Sequence, residues 1–441
     1  MMVFRLRPQP AQAQAAAAAL LLALCFAADA GAAPCISALD CSLNGECHDG
    51  ECKCSLGWTG KACGVLNLAP TPPGSSTNIY PAPASNMSSW GGGVVFRDGK
   101  YHLYVSEMMN HCGLSTWATN SLIRHAVSDT VDGVYAPREA VLSAWGHNAM
   151  PWVTPEGYVA VWHIGNGSHS SRGPPKTGCS NGTTPLNVTE TSEETDFVSL
   201  SESASLVPPL RQIPYSVSGA GGPWKMMEIT CENASAPHAA VPCQIDNPTP
   251  WSFRNGTTLL AHRGAASGGF NLLVAPHWSG PYRPLAQMIT TPPDETECED
   301  GFLFGDEESG IHLLCHCNGV RGYPWDDHGR HAYSKNGIDL MWSEERTFKP
   351  TFMHTDGTNT SHISRQRPQL VFAPKRSGNE ATSAAASSSN SGSIVPTQLI
   401  TGISVSSTNH PFPWQQSCGT ELCSISRPCD LTATSMQAVL P

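Results

Sequence analysis

One short pattern recurs along most of the chain and restricts its fold more than any other feature of the sequence. Residues 148–163 align without gaps with residues 247–262, and residues 90–105 fit the same frame. Further copies begin at Asp300 and at Arg367. Each copy consists of an apolar strand, a polar turn that contains glycine and a second strand of alternating polarity, which is the pattern of a β-hairpin.

A further strand follows each of the first four hairpins and ends in an aromatic residue after a glycine turn. These strands occupy residues 125–135, 215–224, 272–282 and 331–342. Small antiparallel sheets repeated around an axis form a β-propeller, and five hairpins indicate five blades. The sequence therefore predicts an all-β chain with a five-bladed β-propeller at residues 85–441. A sandwich of unrelated strands is the alternative.

Six cysteines lie within residues 35–63, a segment too short to bury an apolar core without covalent cross-links. Spacing alone allows fifteen pairings of six cysteines. A zinc site is disfavoured because Cys52-x-Cys54 is too tight for the usual knuckle. This pair and the Gly-Trp-Thr-Gly stretch at 57–60 resemble an EGF-like domain. The resemblance implies three disulfides in a small disulfide-rich module, namely Cys35–Cys47, Cys41–Cys52 and Cys54–Cys63.

Composition and local motifs exclude several ligands. Calcium-binding EGF-like domains carry acidic residues before their first cysteine, but residues 32–34 are Ala-Ala-Pro, so we expect no calcium and no other metal or cofactor. With 25 Lys and Arg against 36 Asp and Glu, the chain has a net charge of −11. It lacks the basic surface that neutralises phosphates, which argues against a nucleic-acid partner.

The first 30 residues predict secretion. Arg5 and Arg7 precede an apolar run at 15–28, and Ala-Asp-Ala at 28–30 suits signal peptidase. The run is too short to span a bilayer, so we expect cleavage and no membrane span afterwards; a retained N-terminal anchor in the secretory pathway is the alternative. One of the 17 cysteines lies in this leader, which leaves an even number to pair. Seven candidate glycosylation sequons begin at Asn86, Asn166, Asn181, Asn187, Asn233, Asn255 and Asn359.

Four segments follow from these signals. They are a signal peptide at 1–30, an EGF-like domain at 31–64, a Pro/Ser-rich linker at 65–84 and the propeller at 85–441. Two inserts in the propeller, at 166–212 and 375–393, lack strand periodicity and are expected to be surface loops.

The remaining cysteines are expected to brace the propeller and its tail. Cys231 and Cys243 could close a short loop. Cys315 and Cys317 lie on one face of a strand and cannot readily bond each other, so each is expected to bond another cysteine.

The starts of the innermost strands are the candidate functional positions. In a propeller these strands begin near the axis, so their first side chains converge on one site. Acids, amides and a stacking surface at Trp90 suit a polyhydroxylated ligand. Arg365 is included because it shares a face with Arg367 at period 2. The candidate carboxyl groups are Asp246, Glu299 and Asp300, and the candidate substrate-binding residues are Trp90, His147, Asn148, Asn247, Arg263, Arg365 and Arg367.

Five hairpin-led units with acids at the inner strand starts resemble the five-bladed propellers of glycoside hydrolase family 43. Units such as Asp-Gly-Lys-Tyr-His-Leu-Tyr-Val at 98–105 strengthen the likeness. In that family an Asp base, an Asp that tunes the acid and a Glu acid come from three blades and invert the sugar. The resemblance implies a carbohydrate ligand, with Glu299 as the acid, Asp246 as the base and an arginine that clamps hydroxyls.

The first two repeats depart from that pattern because Trp90 and Asn148 stand where the family has acids. A non-catalytic extracellular module for carbohydrate binding, protein binding or adhesion is therefore the alternative. Structural capping of turns by Asp246 and Asp300 also stays open.

Overall fold

The computed structural model describes residues 34–80, 87–168, 172–177, 179, 210–233, 236–264, 269–285, 289–306, 310–318, 328–362, 364–372, 376–377, 380–381, 395–404 and 432–440. Several sequence-based expectations lie outside these residues. They are the signal peptide at 1–30, the sequons at Asn86, Asn181 and Asn187, and most of the inserts at 166–212 and 375–393.

Five four-stranded antiparallel sheets form the large domain and confirm the predicted five-bladed propeller. From the inner strand outward, blade one is Ser89–Arg97, Lys100–Met108, Ser121–Ser128 and Ala136–Leu142. Blade two is Gly146–Val153, Val159–Gly165, Gln212–Ser216 and Lys225–Glu228. Blade three is Thr249–Ser252, Thr258–Arg263, Phe270–Ala275 and Arg283–Pro284. Blade four is Glu297–Asp306, Gly310–Asn318, His328–Ser334 and Met341–Trp342.

Blade five is closed by a strand from the N-terminal side of the chain. Its strands are Arg365–Phe372, Pro396–Ser404, Thr432–Ala438 and, on the outside, Asn78–Tyr80. This outer strand lies inside the segment 65–84 that the sequence indicates as a linker, so part of that segment belongs to the propeller. The Tyr80 hydroxyl donates to Glu107 of blade one, and the ring is thereby fastened where its ends meet.

Short elements complete the described chain. One α-helix, α1 (Trp117–Asn120), follows two 3-10 turns at Met109–His111 and Leu114–Thr116. Additional two-stranded hairpins outside the EGF-like module are Thr230–Asn233 with Ala236–Pro242, Thr351–Met353 with Asn359–Ser361, and Arg376–Ser377 with Glu380–Ala381. No helix among the described residues is long and apolar enough to cross a membrane.

Apolar side chains fill the spaces between neighbouring blades. Between blades two and three, Trp152 meets Trp278 edge-on at 6.3 Å between ring centroids, and Trp162 meets Tyr282 at 6.2 Å. All four rings are at least nine-tenths buried. Burying large rings contributes roughly 25 cal/mol for each Å² of apolar surface, so these contacts hold blades two and three together.

The EGF-like module is docked on blades four and five rather than tethered loosely. Its hairpins are Gly45–His48 with Glu51–Cys54, and Trp58–Thr59 with Val65–Leu66. Its three disulfides are the pairs that the resemblance implies. Trp58 stacks on Phe304 with centroids 6.5 Å apart, and the Leu66 amide donates to the Thr347 carbonyl at 2.9 Å.

Three further disulfides lie in the described part of the propeller. They join Cys112 to Cys179, Cys231 to Cys243, and Cys298 to Cys317. Cys317 therefore bonds another cysteine as expected, but the expectation for Cys315 is wrong, because among the described cysteines it is a free, buried thiol.

Candidate functional site

At the start of each inner strand one residue lies in the left-handed conformation, and in blades one, two, four and five a β-bulge interrupts the strand register there. The φ angles are 57° at Gly91, 60° at Asn148, 47° at Asn247, 58° at Asp300 and 57° at Arg367. Aligning the blades by these left-handed residues makes Gly91 of blade one equivalent to Asn148 of blade two. Counting back from the hairpin turn makes Trp90 equivalent to Asn148 instead, so the sequence alignment of blade one is off by one residue.

We call these five residues the hub ring, and hydrogen bonds around the axis join four of them while Gly91 packs against Arg367. Asn148 Nδ2 donates to Asn247 Oδ1 at 2.6 Å, and Asn247 Nδ2 donates to Asp300 Oδ1 at 2.7 Å. Arg367 donates to Asp300 and, at 3.1 Å, to the Asn148 carbonyl. A Cβ on Gly91 would lie 2.8 Å from the Arg367 Cβ, so glycine makes room for the arginine. The sequence-predicted residues Asn148, Asn247, Asp300 and Arg367 thus meet at one place.

A charged cluster covers the ring on the side of blades three and four. Arg263 Nη1 lies 2.9 Å from Glu299 Oε2 and 3.8 Å from Asp246 Oδ2. Arg263 also pairs with Glu297 through Nη2. His316 lies 3.5 Å from Glu299 and 3.4 Å from Asp300. The Asp246 and Glu299 side chains keep 12% and 19% of their surface exposed, so a ligand can reach both.

Two of the three carboxyl groups around Arg263, Asp246 and Glu299, differ in the direction of their pKa shifts. Burial raises the pKa of Asp246 to about 7, with repulsion from Glu299 and Asp300 adding to it and attraction to Arg263 opposing it. Burial also disfavours the charge on Glu299, but Arg263 and His316 outweigh it and hold the pKa at about 2. Burial and the neighbouring Glu299 raise the pKa of Glu297. Near neutral pH the site therefore places a protonated carboxyl group beside an ionised one.

The side of blades one and two is aromatic. Trp90 is only 4% exposed and packs on Gly402, where a Cβ would lie 2.7 Å from the indole Cδ2; it offers no open face, contrary to the expected stacking role. His147 is buried, shares a hydrogen bond of 2.7 Å with the Ser121 hydroxyl, and has a pKa far below its usual value because of burial and Arg367. Trp117 lies over His147, with centroids 5.4 Å apart, and is partly exposed.

Arg365 does not reach the hub, contrary to expectation. It is fully buried on the other face of the blade, with its guanidinium 4.2 Å from the Phe352 ring centroid and bonded to Gln437 at 3.0 Å. Burial lowers its pKa to about 9. The bulge after Gln366 interrupts the alternation of side chains, so Arg365 and Arg367 no longer share a face.

Two residues of the site, Glu297 and Trp117, were not expected from the sequence. Glu297 stands two residues before Glu299 on one strand, and hairpin geometry could have found it; His316, which the sequence places on a hairpin return, stands opposite Glu299 in the register. Trp117 lies in a connection without periodicity, and no local signal identifies it.

Glu299, Asp300 and His316 have donor atoms within 4.8 Å of one another, close enough to hold a metal ion. Arg263 and Arg367 already contact the same two carboxylates. A cation would have to compete with these guanidinium groups.

Comparisons with known proteins match the two parts of the chain separately. Residues 39–65 match the family model of the Teneurin-like EGF domain. No curated protein matches the sequence. Among solved structures, the family 117 glycoside hydrolase Zg3597 of the marine bacterium Zobellia galactanivorans is 12% identical, with a TM-score of 0.46 over 82% of this chain and 88% of that one. The α-L-arabinofuranosidase PaAbf62A of Podospora anserina is 7% identical, with a TM-score of 0.45 over 82% and 94%. At such identities the likeness concerns the fold alone.

Proposed function

We propose that the propeller hydrolyses glycosidic bonds at the hub, with Asp246 and Glu299 as the reacting carboxyl groups. The observation that carries this proposal is the contact of both carboxyl groups with one guanidinium nitrogen, Arg263 Nη1, beside the hub ring. Glycoside hydrolysis needs one carboxylic acid that donates a proton and one carboxylate that acts on the sugar. A pKa of about 7 at Asp246 and of about 2 at Glu299 supports this division of roles.

The roles proposed from the directions of the two pKa shifts are the reverse of those implied by the family resemblance. Asp246, protonated below pH 7, donates its proton to the glycosidic oxygen as the bond breaks. Glu299, ionised over the whole working range, attacks the anomeric carbon. Water then hydrolyses the glycosyl–enzyme bond and gives its proton to Asp246, while Arg263 and His316 hold Glu299 in place.

We propose retention of configuration because both carboxyl groups contact the same guanidinium nitrogen. Arg263 Nη1 lies 2.9 Å from Glu299 Oε2 and 3.8 Å from Asp246 Oδ2, an upper limit on their separation that admits the spacing of retaining enzymes and excludes most of the inverting range. Retaining enzymes place their carboxyl groups about 5–5.5 Å apart, and inverting enzymes about 6.5–9.5 Å apart to admit a water. The expected product has the same anomeric configuration as the substrate, which proton NMR of a fresh reaction distinguishes from inversion.

The decisive experiment combines variants with a pH profile. On whichever glycoside the wild type cleaves, Asp246→Asn and Glu299→Gln are each expected to lower kcat/KM by roughly 10²–10⁴-fold. Glu228→Gln, on the exposed outer strand of blade two, is the matched control and keeps wild-type activity. Because Asp246 must be protonated, wild-type kcat/KM falls above about pH 7. Full activity in both variants, or activity that rises above pH 7, would refute the roles.

A non-catalytic carbohydrate-binding module is the second candidate. The observation that favours it is the absence of carboxyl groups in the first two positions of the hub ring, Gly91 and Asn148. This function predicts saturable glycan binding by the wild type and no released sugar from any glycan that binds. A glycan-array screen followed by a hydrolysis assay on each bound glycan separates the two functions.

We also propose that the chain is secreted and glycosylated. Six disulfides among the described residues suit an oxidising compartment. Asn166, Asn255 and Asn359 are exposed and therefore accessible to glycosylation, whereas Asn233 is partly buried. Expression in eukaryotic cells tests secretion by the presence of the protein in the culture medium. Removal of N-linked glycans tests glycosylation by the decrease in the mass of the protein.

A further inference from the structure

The connection between the second and third strands of blade one lies beside the hub and is held rigidly. It contains the two 3-10 turns and α1, and the Cys112–Cys179 disulfide ties it to the insert of blade two. Asn120 is fully buried between the two connections. Its Nδ2 donates to the Lys176 carbonyl at 2.9 Å, and its Oδ1 accepts the Lys176 amide at 2.9 Å. Trp117, at the start of α1, thus stands on a fixed support.

Trp117 sits next to the hub ring. Its indole lies 5.4 Å from His147 and 5.7 Å from Trp145, measured between centroids, and stays partly exposed. His147 immediately precedes Asn148 of the hub ring. The backbone N–H of Asn148 donates to the Ser106 hydroxyl at 2.8 Å. The aromatic group therefore borders the same site as the charged cluster.

The two sides of the site differ in chemistry at equivalent positions. Ile164 of blade two stands at the strand position that Arg263 occupies in blade three and His316 occupies in blade four. Ile164 is buried and packs with Trp145, and Trp117 packs against this group. One side of the site is therefore apolar and aromatic, and the other is charged. A sugar ring, with an apolar C–H face and a rim of hydroxyl groups, matches such a division.

The acidic and basic side chains of the hub site restrict the charge of the sugar that it can bind. Glu297 and Glu299 both pair with the single Arg263, and Arg367 is occupied by Asp300. Among the described residues of the cluster, both arginines are therefore already paired with carboxylates. Uronic acids and sulfated sugars would meet repulsion here, whereas neutral sugars would meet hydrogen-bonding groups.

We propose that Trp117 is the stacking platform for a neutral sugar ring in the hub site, and that the Cys112–Cys179 link and Asn120 hold it there. This inference rests on the proposed function and specifies its ligand class. Trp117 binds the ring and does not take part in bond breaking. Its loss therefore affects KM or the dissociation constant more than kcat.

The test uses the full secreted chain and a panel of neutral, uronic and sulfated oligosaccharides, with binding measured by calorimetry and tryptophan fluorescence. Trp117→Ala is expected to weaken binding of neutral oligosaccharides by about 10- to 100-fold, and Trp117→Phe by much less because a ring remains. Trp342→Ala, at a partly exposed tryptophan on the outer strand of blade four, is the matched control and binds like the wild type. Melting temperatures check that each variant is folded.

The outcomes separate this inference from the proposed function. Unchanged neutral-sugar binding in folded Trp117→Ala overturns the role of Trp117 and leaves the proposed function standing. Preference of the wild type for uronic or sulfated sugars overturns the ligand class. A wild type that neither binds nor cleaves any glycan overturns both. Substitution of Cys112 and Cys179 by serine should weaken binding by about 3- to 10-fold, because a released support no longer fixes the indole.

Discussion

At the scale of single residues, five residues of four types share one uncommon backbone conformation in the hub ring. Glycine adopts positive φ at no cost, and Asn and Asp tolerate it. Arg367 does not belong to these types, and its left-handed φ of 57° costs of order 1 kcal/mol or more. Its bonds to Asp300 and the Asn148 carbonyl offset that cost. The ring is therefore a mutually supported unit.

A prediction at this scale concerns the space that Gly91 leaves for Arg367. Gly91→Ala brings a Cβ to 2.8 Å from the Arg367 Cβ. Gly99→Ala is the control, because Gly99 also has positive φ but a Cβ there would have no atom within 4 Å. Both variants lose about 1 kcal/mol to backbone strain. Gly91→Ala should lose a further ~1–3 kcal/mol of unfolding free energy through overpacking. Equal losses in urea denaturation would show that the close approach to Arg367 carries no energetic weight.

At the scale of elements, the EGF-like module and the propeller are joined by an unusual carboxylate contact. Glu345 accepts backbone N–H groups of Lys61, Ala62 and Gly64 at 2.8, 3.0 and 3.2 Å. Bonds to a charged acceptor are stronger than neutral ones. The contact lies near the Trp58 stacking site, so polar and apolar contacts reinforce each other. The module docks beside blades four and five through Phe304, Glu345 and Pro396.

Removing that carboxylate should loosen the module without unfolding the blades. Glu345→Ala leaves three amide N–H groups without their acceptor, at a cost of about 1–3 kcal/mol for the contact. Hydrogen exchange at residues 61–64 should accelerate by at least tenfold in this variant. Glu344→Ala, at the exposed neighbouring position, is the control and should exchange like the wild type. Protection that stays unchanged in Glu345→Ala would contradict the docking role.

At the scale of the whole molecule, buried histidines couple stability to pH. His163 and His262 hold equivalent places in the second strands of blades two and three, one residue before Ile164 and Arg263. Each ring lies within hydrogen-bond distance of the carbonyl that follows it, at 3.2 and 2.9 Å. Burial lowers the pKa of both to about 4. The folded propeller therefore keeps these two rings neutral.

The sign of the pH dependence follows. As the pH falls from about 6.5 to 4, the unfolded chain takes up protons on these histidines before the folded chain does, so the unfolding free energy decreases. The loss is up to about 3 kcal/mol for each histidine. Asp246 acts in the opposite sense because its pKa is raised, so the comparison is made in Asp246→Asn.

Urea denaturation at pH 7.0, 5.5 and 4.5 measures this effect. Changing His163 to glutamine should flatten the pH dependence, whereas changing the exposed His48 should leave it as it was. A slope that is identical with and without His163 would contradict the buried, neutral state.

The sequence by itself determined the repeated hairpins, the number of blades and the EGF-like module, because strand alternation, glycine turns and cysteine spacing are local patterns. It also placed Asn148, Asn247, Asp300 and Arg367 at strand starts. Only the tertiary structure decided which groups meet. The bulges move Arg365 away from the hub and bury Trp90, the closing strand Asn78–Tyr80 is too short to show periodicity, and Trp117 reaches the site from an irregular connection. Each depends on contacts between residues distant in the chain, which no local pattern encodes.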